Sequence, residues 1–179
     1  MPVTTKPDTA LKTDLLFIEQ EEENKLAENE AFRFYTRQFD DAFIDEQVFQ
    51  IAEEVTQQVD CTSCGNCCRS LMINVEEPEL DRIANHLQVD KQLLKQEKIE
   101  TSEQGKMVMN SIPCAFLTGN LCSVYEHRFS ECREFPHLHK PGFTSRMFVT
   151  LMHYGRCPII YNVIEILKNK LNFHISSKD

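Results

Sequence analysis

The chain has 179 residues, 41% of them hydrophobic, with no tryptophan and a formal net charge of −9. That length suits one domain plus an appendage, and no apolar run is long enough to cross a bilayer. An acidic balance excludes general binding to nucleic acid or to anionic membranes, because both need excess cations to displace counterions. Met1–Leu16 carries Lys6 and Lys12 but neither the apolar stretch nor the small-residue cleavage site of a signal peptide, so a cytoplasmic location is expected.

The charge is unevenly spread. Residues 1–60 hold 5 Lys/Arg against 15 Asp/Glu, a balance of −10, whereas residues 61–179 hold 14 against 13, a balance of +1. All eight cysteines lie in the second part. Three regions are therefore expected: a disordered tail at 1–13, an acidic helical extension at 14–58 and a cysteine-cluster metal-binding domain at 59–179.

In chain order, Asp14 is placed to cap a helix whose apolar side carries Leu15, Leu16, Ile18 and Leu26 among glutamates. Phe39, Phe43, Ile44, Val48, Ile51, Ala52 and Val55 recur at helical steps and give a second helix with one buried stripe. Pro78, flanked by Glu77 and Glu79, marks the first turn of a third, with Leu80, Ile83, Ala84 and Leu87 on its buried face. A short helix is expected over Lys91–Glu97, and extended segments over Lys106–Asn110 and Ile112–Leu117. Thr118-Gly119-Asn120 reads as a turn between Cys114 and Cys122. Met147–Tyr154 reads as a strand, and Pro158 opens a last helix with Ile159, Ile160, Val163, Ile164, Leu167 and Leu171 on its apolar side. The expected class is α+β, mainly helical, with a small irregular β region organised around a cysteine metal site.

Cys61-Thr-Ser-Cys64-Gly-Asn-Cys67-Cys68 carries the chemistry, followed by Cys114, Cys122, Cys132 and Cys157. A Cys-x-x-Cys step lets two thiolates reach one ion, and Gly65 permits the tight turn between the two overlapping steps. Adjacent side chains point different ways, so one of Cys67 and Cys68 is free to turn toward a second metal. A disulfide framework fits poorly without a secretory signal. Chance burial explains a single Cys114 or Cys157 but not four cysteines in eight residues. Thiolate binding of zinc or iron is the reading that remains. Two four-sulfur zinc sites, a shared two-metal cluster, and an iron–sulfur cluster wrapped by Cys61, Cys64, Cys67 and a remote fourth ligand stay open. Arg69, Arg128, Arg133 and Arg156 lie beside or between the cysteines, where they would offset thiolate charge or donate to sulfur. His137, His139 and His153 are secondary candidates, while His86 and His174 read as surface.

Cys61-x2-Cys64-x2-Cys67-Cys68, Cys114-Ala-Phe-Leu, Cys122-Ser-Val-Tyr125, Arg128, Cys132-Arg133-Glu-Phe135-Pro136 and Cys157-Pro158 together resemble the CxxCxxCC cysteine-cluster family, described as zinc- or iron-chelating. The resemblance covers about residues 61–158. It departs at Phe129, where the family has proline. It implies a metal-binding module that chelates zinc or iron through clustered thiolates, in a structural, redox or partner-binding role. The acidic N-terminal helices would then meet a protein partner. A similar cysteine region occurs in flagellin lysine N-methylases, which makes an iron–sulfur or iron-dependent enzyme the alternative. Against it, the chain has five glycines and no glycine-rich nucleotide fingerprint.

Overall fold

Aspartates open four of the helices. Asp14 accepts a hydrogen bond from Phe17 N (2.8 Å) and starts α1, Leu15–Asn24; α2, Leu26–Tyr35, follows directly. Asp40 accepts from Phe43 N (3.1 Å) and starts α3, Asp41–Thr56. Asp60 accepts from Thr62 N (2.8 Å) and opens the one-turn α4, Cys61–Cys64, which Gly65 separates from α5, Asn66–Ser70. After β1, Asn74–Val75, comes α6, Glu77–Leu87, with Pro78 in its first turn. Asp90 accepts from Gln92 N and Leu93 N and begins α7, Lys91–Lys98. Then follow β2, Ile99–Thr101; β3, Met107–Met109; β4, Leu117–Thr118; and β5, Leu121–Cys122. The chain closes with α8, Ser130–Glu134; α9, Phe143–Leu151; and α10, Pro158–Lys170. Each side-chain cap satisfies an amide that a helix start otherwise leaves unpaired, for about 1 kcal/mol. This computed structural model describes residues 10–174 and shows the mainly helical α+β class expected.

The chain divides into two compact units, Met1–Val59 with Leu138–Asp179, and Asp60–His137. The expected domain at 59–179 is therefore split. Its last part joins the acidic helices, because α10 packs on α3 and α1, and α9 packs on α3 and α2. Both α3 and α10 are apolar along whole faces, Ile44, Val48, Ile51 and Val55 on one and Ile160, Val163, Ile164 and Leu167 on the other. Burying such stripes is the main stabilisation available to a helix pair.

Within this first unit several buried charged groups are paired. Lys168, 4% exposed, sits between Glu28 and Glu165 at 2.7 Å from each, and Tyr154 Oη donates to Glu165 at 2.9 Å. Glu21 also pairs with Lys25, and Glu30 with Arg33, so part of the acidic surface is spent internally. Asp45, buried in α3, accepts from Gly142 N (2.7 Å) and Phe143 N (2.8 Å), and so caps the start of α9.

Three expectations change here. Of the tail expected to be disordered, residues 1–9 lie outside the described residues. Lys12 is fixed, since its N–H donates to Asn162 Oδ1 (2.9 Å) and its carbonyl accepts from Asn162 Nδ2 (2.8 Å). The helix after Asp14 stops at Asn24; of its expected apolar side Ile18 is buried, whereas Leu16 (78%) and Leu26 (68%) are exposed, and Phe32 of α2 is buried beside Ile18's helix in the same unit. Met147–Tyr154 is not a strand but falls in α9 and the turns after it. Phe143, Met147 and Thr150 face inward at helical steps, a period hidden when the segment is read from Met147 onward.

The second unit holds both sheets. β3 lies between β1 and β2, all antiparallel, with Asn74 opposite Val108 and Ile99 opposite Met109. β4 and β5 form a hairpin with Leu117 opposite Cys122, turned at Gly119-Asn120. Of the extended segment expected over Ile112–Leu117, only Leu117 joins a strand; Pro113 offers no N–H to a ladder. The core includes Ile73, Val75, Leu80, Ile83, Met109, Phe116, Val124 and Phe129, and the Phe129 ring lies tilted against Phe116 with centroids 6.2 Å apart.

Asp45→Ala is expected to destabilise the protein by about 1–3 kcal/mol, because two backbone donors at the start of α9 lose a charged acceptor. The midpoint of urea unfolding measures it.

Candidate metal centre

Seven of the eight cysteines fall in the second unit: Cys61, Cys64, Cys67, Cys68, Cys114, Cys122 and Cys132. Cys157 lies in the first, buried at the residue preceding α10. All eight are free thiols.

The run Cys61–Cys68 is two short helical turns hinged at Gly65. Gly65 has φ +60°, and a Cβ there would stand 3.0 Å from Arg69 Nη1 and 3.1 Å from the Asn120 carbonyl. Close approach and a left-handed backbone both require glycine. Arg69 turns back onto this hinge. Its Nη1 donates to the Cys64 carbonyl (3.1 Å), and its Nη2 donates to the Gly119 carbonyl (2.9 Å) and to Asn120 Oδ1. Asn120 Nδ2 in turn donates to the Ser63 carbonyl (2.9 Å). The β4–β5 turn is thereby tied to the CxxCxxCC loop.

The remaining thiols arrive on separate pieces of backbone. Cys114 N donates to the Cys68 carbonyl (2.8 Å), and Leu117 N to the Cys114 carbonyl (3.0 Å). Cys114 receives the backbone N–H of Phe116 on its sulfur, and Cys122 that of Val124. An amide two residues along aimed at a sulfur favours the thiolate form. Cys132 rides on α8. That short helix is fastened by buried Glu79, which accepts from Ser130 N (2.6 Å) as well as from Glu76 N (3.0 Å). Glu131 accepts from Asn74 N (2.7 Å), and Arg133 donates to the Arg128 and Glu126 carbonyls at 3.1 and 2.9 Å.

Crowding shows in the protonation of the thiols. Burial, then the neighbouring Cys68, Cys114, Cys122 and Glu131, push Cys132 up to about 12. A hydrogen bond shared with the Cys67 thiol, then burial, raises Cys68 far above the ordinary value. Burial, together with Cys68, also raises Cys114 and Cys122, against the Phe116 and Val124 amides. Cys61 is raised by burial of its sulfur and by Cys64 and Asp60, while Arg128 lowers it. Cys68 thus recurs as the neighbour of Cys114, Cys122 and Cys132.

Among the described residues, no group of three or more Cys, His, Asp and Glu side chains stands ready-made in a metal-holding arrangement. The donor chemistry nonetheless suits zinc or iron: clustered free thiols, two with amides aimed at sulfur, on segments already bonded to one another. Bound metal would supply the positive charge that lets these thiols ionise together.

The arginines work partly as expected. Arg69 and Arg133 spend their donors on carbonyls and on Asn120, positioning cysteine-bearing loops, while Arg69 also favours ionised Cys68 by its charge. Arg128 acts on Cys61 and Cys122 by charge while lying 3.9 Å over the Tyr125 ring. Arg156 lies in the first unit. His137 Nδ1 lies 3.8 Å from Glu134, His139 and His153 belong to the first unit, and His86 stacks on His127 at 4.0 Å. Glu79 and Glu131 carry as much of the positioning as any arginine. Sequence reasoning treated Glu79 only as a helix-start acid, and nothing in the sequence tied it to Ser130.

A family model, CxxCxxCC, described as "Putative zinc- or iron-chelating domain", matches residues 60–154, which contain seven of the eight cysteines. No curated protein and no solved structure matches the chain.

Two outcomes follow from this geometry. Gly65→Ala is expected to cost about 1–2 kcal/mol through the left-handed backbone alone, with a lower midpoint in urea unfolding. The metal-free, reduced protein is expected to lose thermal stability as pH rises through and above about 9. The folded state keeps protons on Cys68, Cys114, Cys122 and Cys132 that the unfolded chain releases near the ordinary thiol value of 9.0, so the unfolded chain binds fewer protons there. Melting scans across that range in a metal-free buffer check the sign.

Proposed function

Since the chain belongs to the CxxCxxCC family of zinc- or iron-chelating domains, we propose that it is a thiolate metal-binding protein whose metal organises the second unit. What supports this reading, besides the family, is that one compact unit holds the CxxCxxCC run together with Cys114, Cys122 and Cys132, and that Cys68 opposes the ionisation of the other three. Free thiols so placed oppose one another's ionisation, and a metal cation reverses that opposition.

The residues divide the work. The thiols of the second unit hold the ion. Arg69, Asn120 and Gly65 fix the angle between the CxxCxxCC turn and the β4–β5 hairpin. Glu79 and Glu131 hold the helix that presents Cys132. In the metal-bound form the ion would add a further link between cysteine-bearing segments that hydrogen bonds already join, a structural role. The first unit has its own buried helix faces and does not need the ion to fold.

Protein purified without oxygen is expected to carry stoichiometric zinc or iron by elemental analysis, colourless with zinc and brown with an iron–sulfur cluster. Strong chelator should remove the metal while far-ultraviolet circular dichroism falls only modestly, because most helical residues lie outside the cysteine loops. A metal-free preparation that takes up neither zinc nor iron, with most thiols titrating freely, would sink this reading.

A further inference from the structure

Helix α9 buries Phe143, Met147 and Thr150 and turns a second apolar side outward. Phe148, Val149 and Met152, the last just past its end, are each more than half exposed. On α2, Phe34 is exposed to the same degree. The two outer faces are continuous, because the Arg33 guanidinium lies 4.6 Å from the centre of the Phe34 ring and 5.6 Å from that of Phe148. Arg37 lies 5.1 Å over the Phe34 ring. Single apolar residues scattered over a surface mean little, but adjoining ones open to water mark an interaction site.

The charge around this patch is one-sided. All four arginines of the first unit, Arg33, Arg37, Arg146 and Arg156, fall on α2 and α9 or within a few residues of their ends. From Phe135 to Ile164 the chain contains no Asp or Glu. Glu30, on the outer side of α2, is taken up by Arg33. An occupant therefore has to bring apolar side chains and acids together. Helix α1 of the same unit has that composition, with four glutamates and no Lys or Arg over Leu15–Asn24. Ile18 is its buried residue, and its outer side carries Leu16 with Glu19, Gln20 and Glu23 at helical steps, all exposed.

We propose that the α2–α9 face docks a second copy of this chain, with the acidic outer side of α1 from one copy lying on the α2–α9 face of the other. Each copy carries both surfaces, so the same contact can be made twice in a twofold pair. Phe34 and Phe148, with Arg33 between their rings, form the apolar anchor, the residue types that dominate the energetic centre of interfaces. Arg37 faces Glu19 and Glu23 of the other copy at the rim, where opposite charges steer approach and fix register. No cysteine takes part, so the pairing is independent of the metal-binding reading.

Sedimentation velocity of the full chain over a range of concentrations reads the pairing, in reducing buffer with zinc and, separately, with chelator. The wild type is expected to form a dimer as concentration rises in both buffers, and to dissociate as salt is added. Phe148→Asp, at a side chain already open to water, should weaken pairing about tenfold or more. Its urea midpoint should stay near that of the wild type at a concentration where both are monomers. Glu23→Arg and Arg37→Glu should each weaken the dimer, and the two together should recover part of the loss. A wild type that stays monomeric at every concentration would overturn the proposal and leave this face to an acidic segment of a different protein. A dimer that Phe148→Asp leaves intact, or that chelator alone dissolves, would overturn it by placing the contact elsewhere.

Discussion

The cysteines of the second unit stand where ionising any one of them is unfavourable. A thiol packed against apolar side chains resists ionising, and each further thiol nearby raises the cost. Cys132 experiences both effects, from the core beneath it and from Cys68, Cys114 and Cys122 beside it. A bound cation would reverse this opposition, because the low-dielectric surroundings that disfavour a thiolate would also strengthen its attraction to the metal.

Everything else in this unit serves to bring the sulfurs together from a chain with little regular structure. The sheets are two to three residues deep, too short to hold a domain by themselves. Polar side chains do the fastening. Glu79 grips the start of α8, Glu131 grips β1, and Arg69 and Arg133 pin backbone carbonyls on either side of the cysteines. Each is a charged group donating or accepting at backbone, the class of hydrogen bond worth roughly 1.5–3 kcal/mol. The first unit has such fastening too, Asp45 at the start of α9 and Asn162 at Lys12, and adds to it the continuous apolar faces that its helices bury.

The residues preceding the cysteine run and those following His137 come together in one unit although they are far apart in sequence. The cysteine unit is thus inserted into a helical unit.

The sequence alone determined the chemistry and most of the helix starts. Four cysteines in eight residues, the glycine hinge, the capping aspartates and the helix-opening prolines are local signals, and each acts over one or two turns. It also placed the buried face of α3 and α10, where apolar residues recur at a helical period. The tertiary structure decided what depends on distant partners. Residues 138–179 pack with the acidic helices because complementary apolar stripes find one another in three dimensions, which no local pattern announces. α9 reads as a strand from its β-branched and aromatic residues, yet Phe143, Met147 and Thr150 face inward together, and Asp45 of α3 caps it. The neighbours of Cys68 are likewise tertiary: Cys67 is adjacent in sequence, but only the fold brings Cys68 near enough to Cys114, Cys122 and Cys132 to oppose their ionisation. Spacing in sequence governs which sulfurs lie near one another along a turn, and long-range hydrogen bonds and packing govern which distant segments meet.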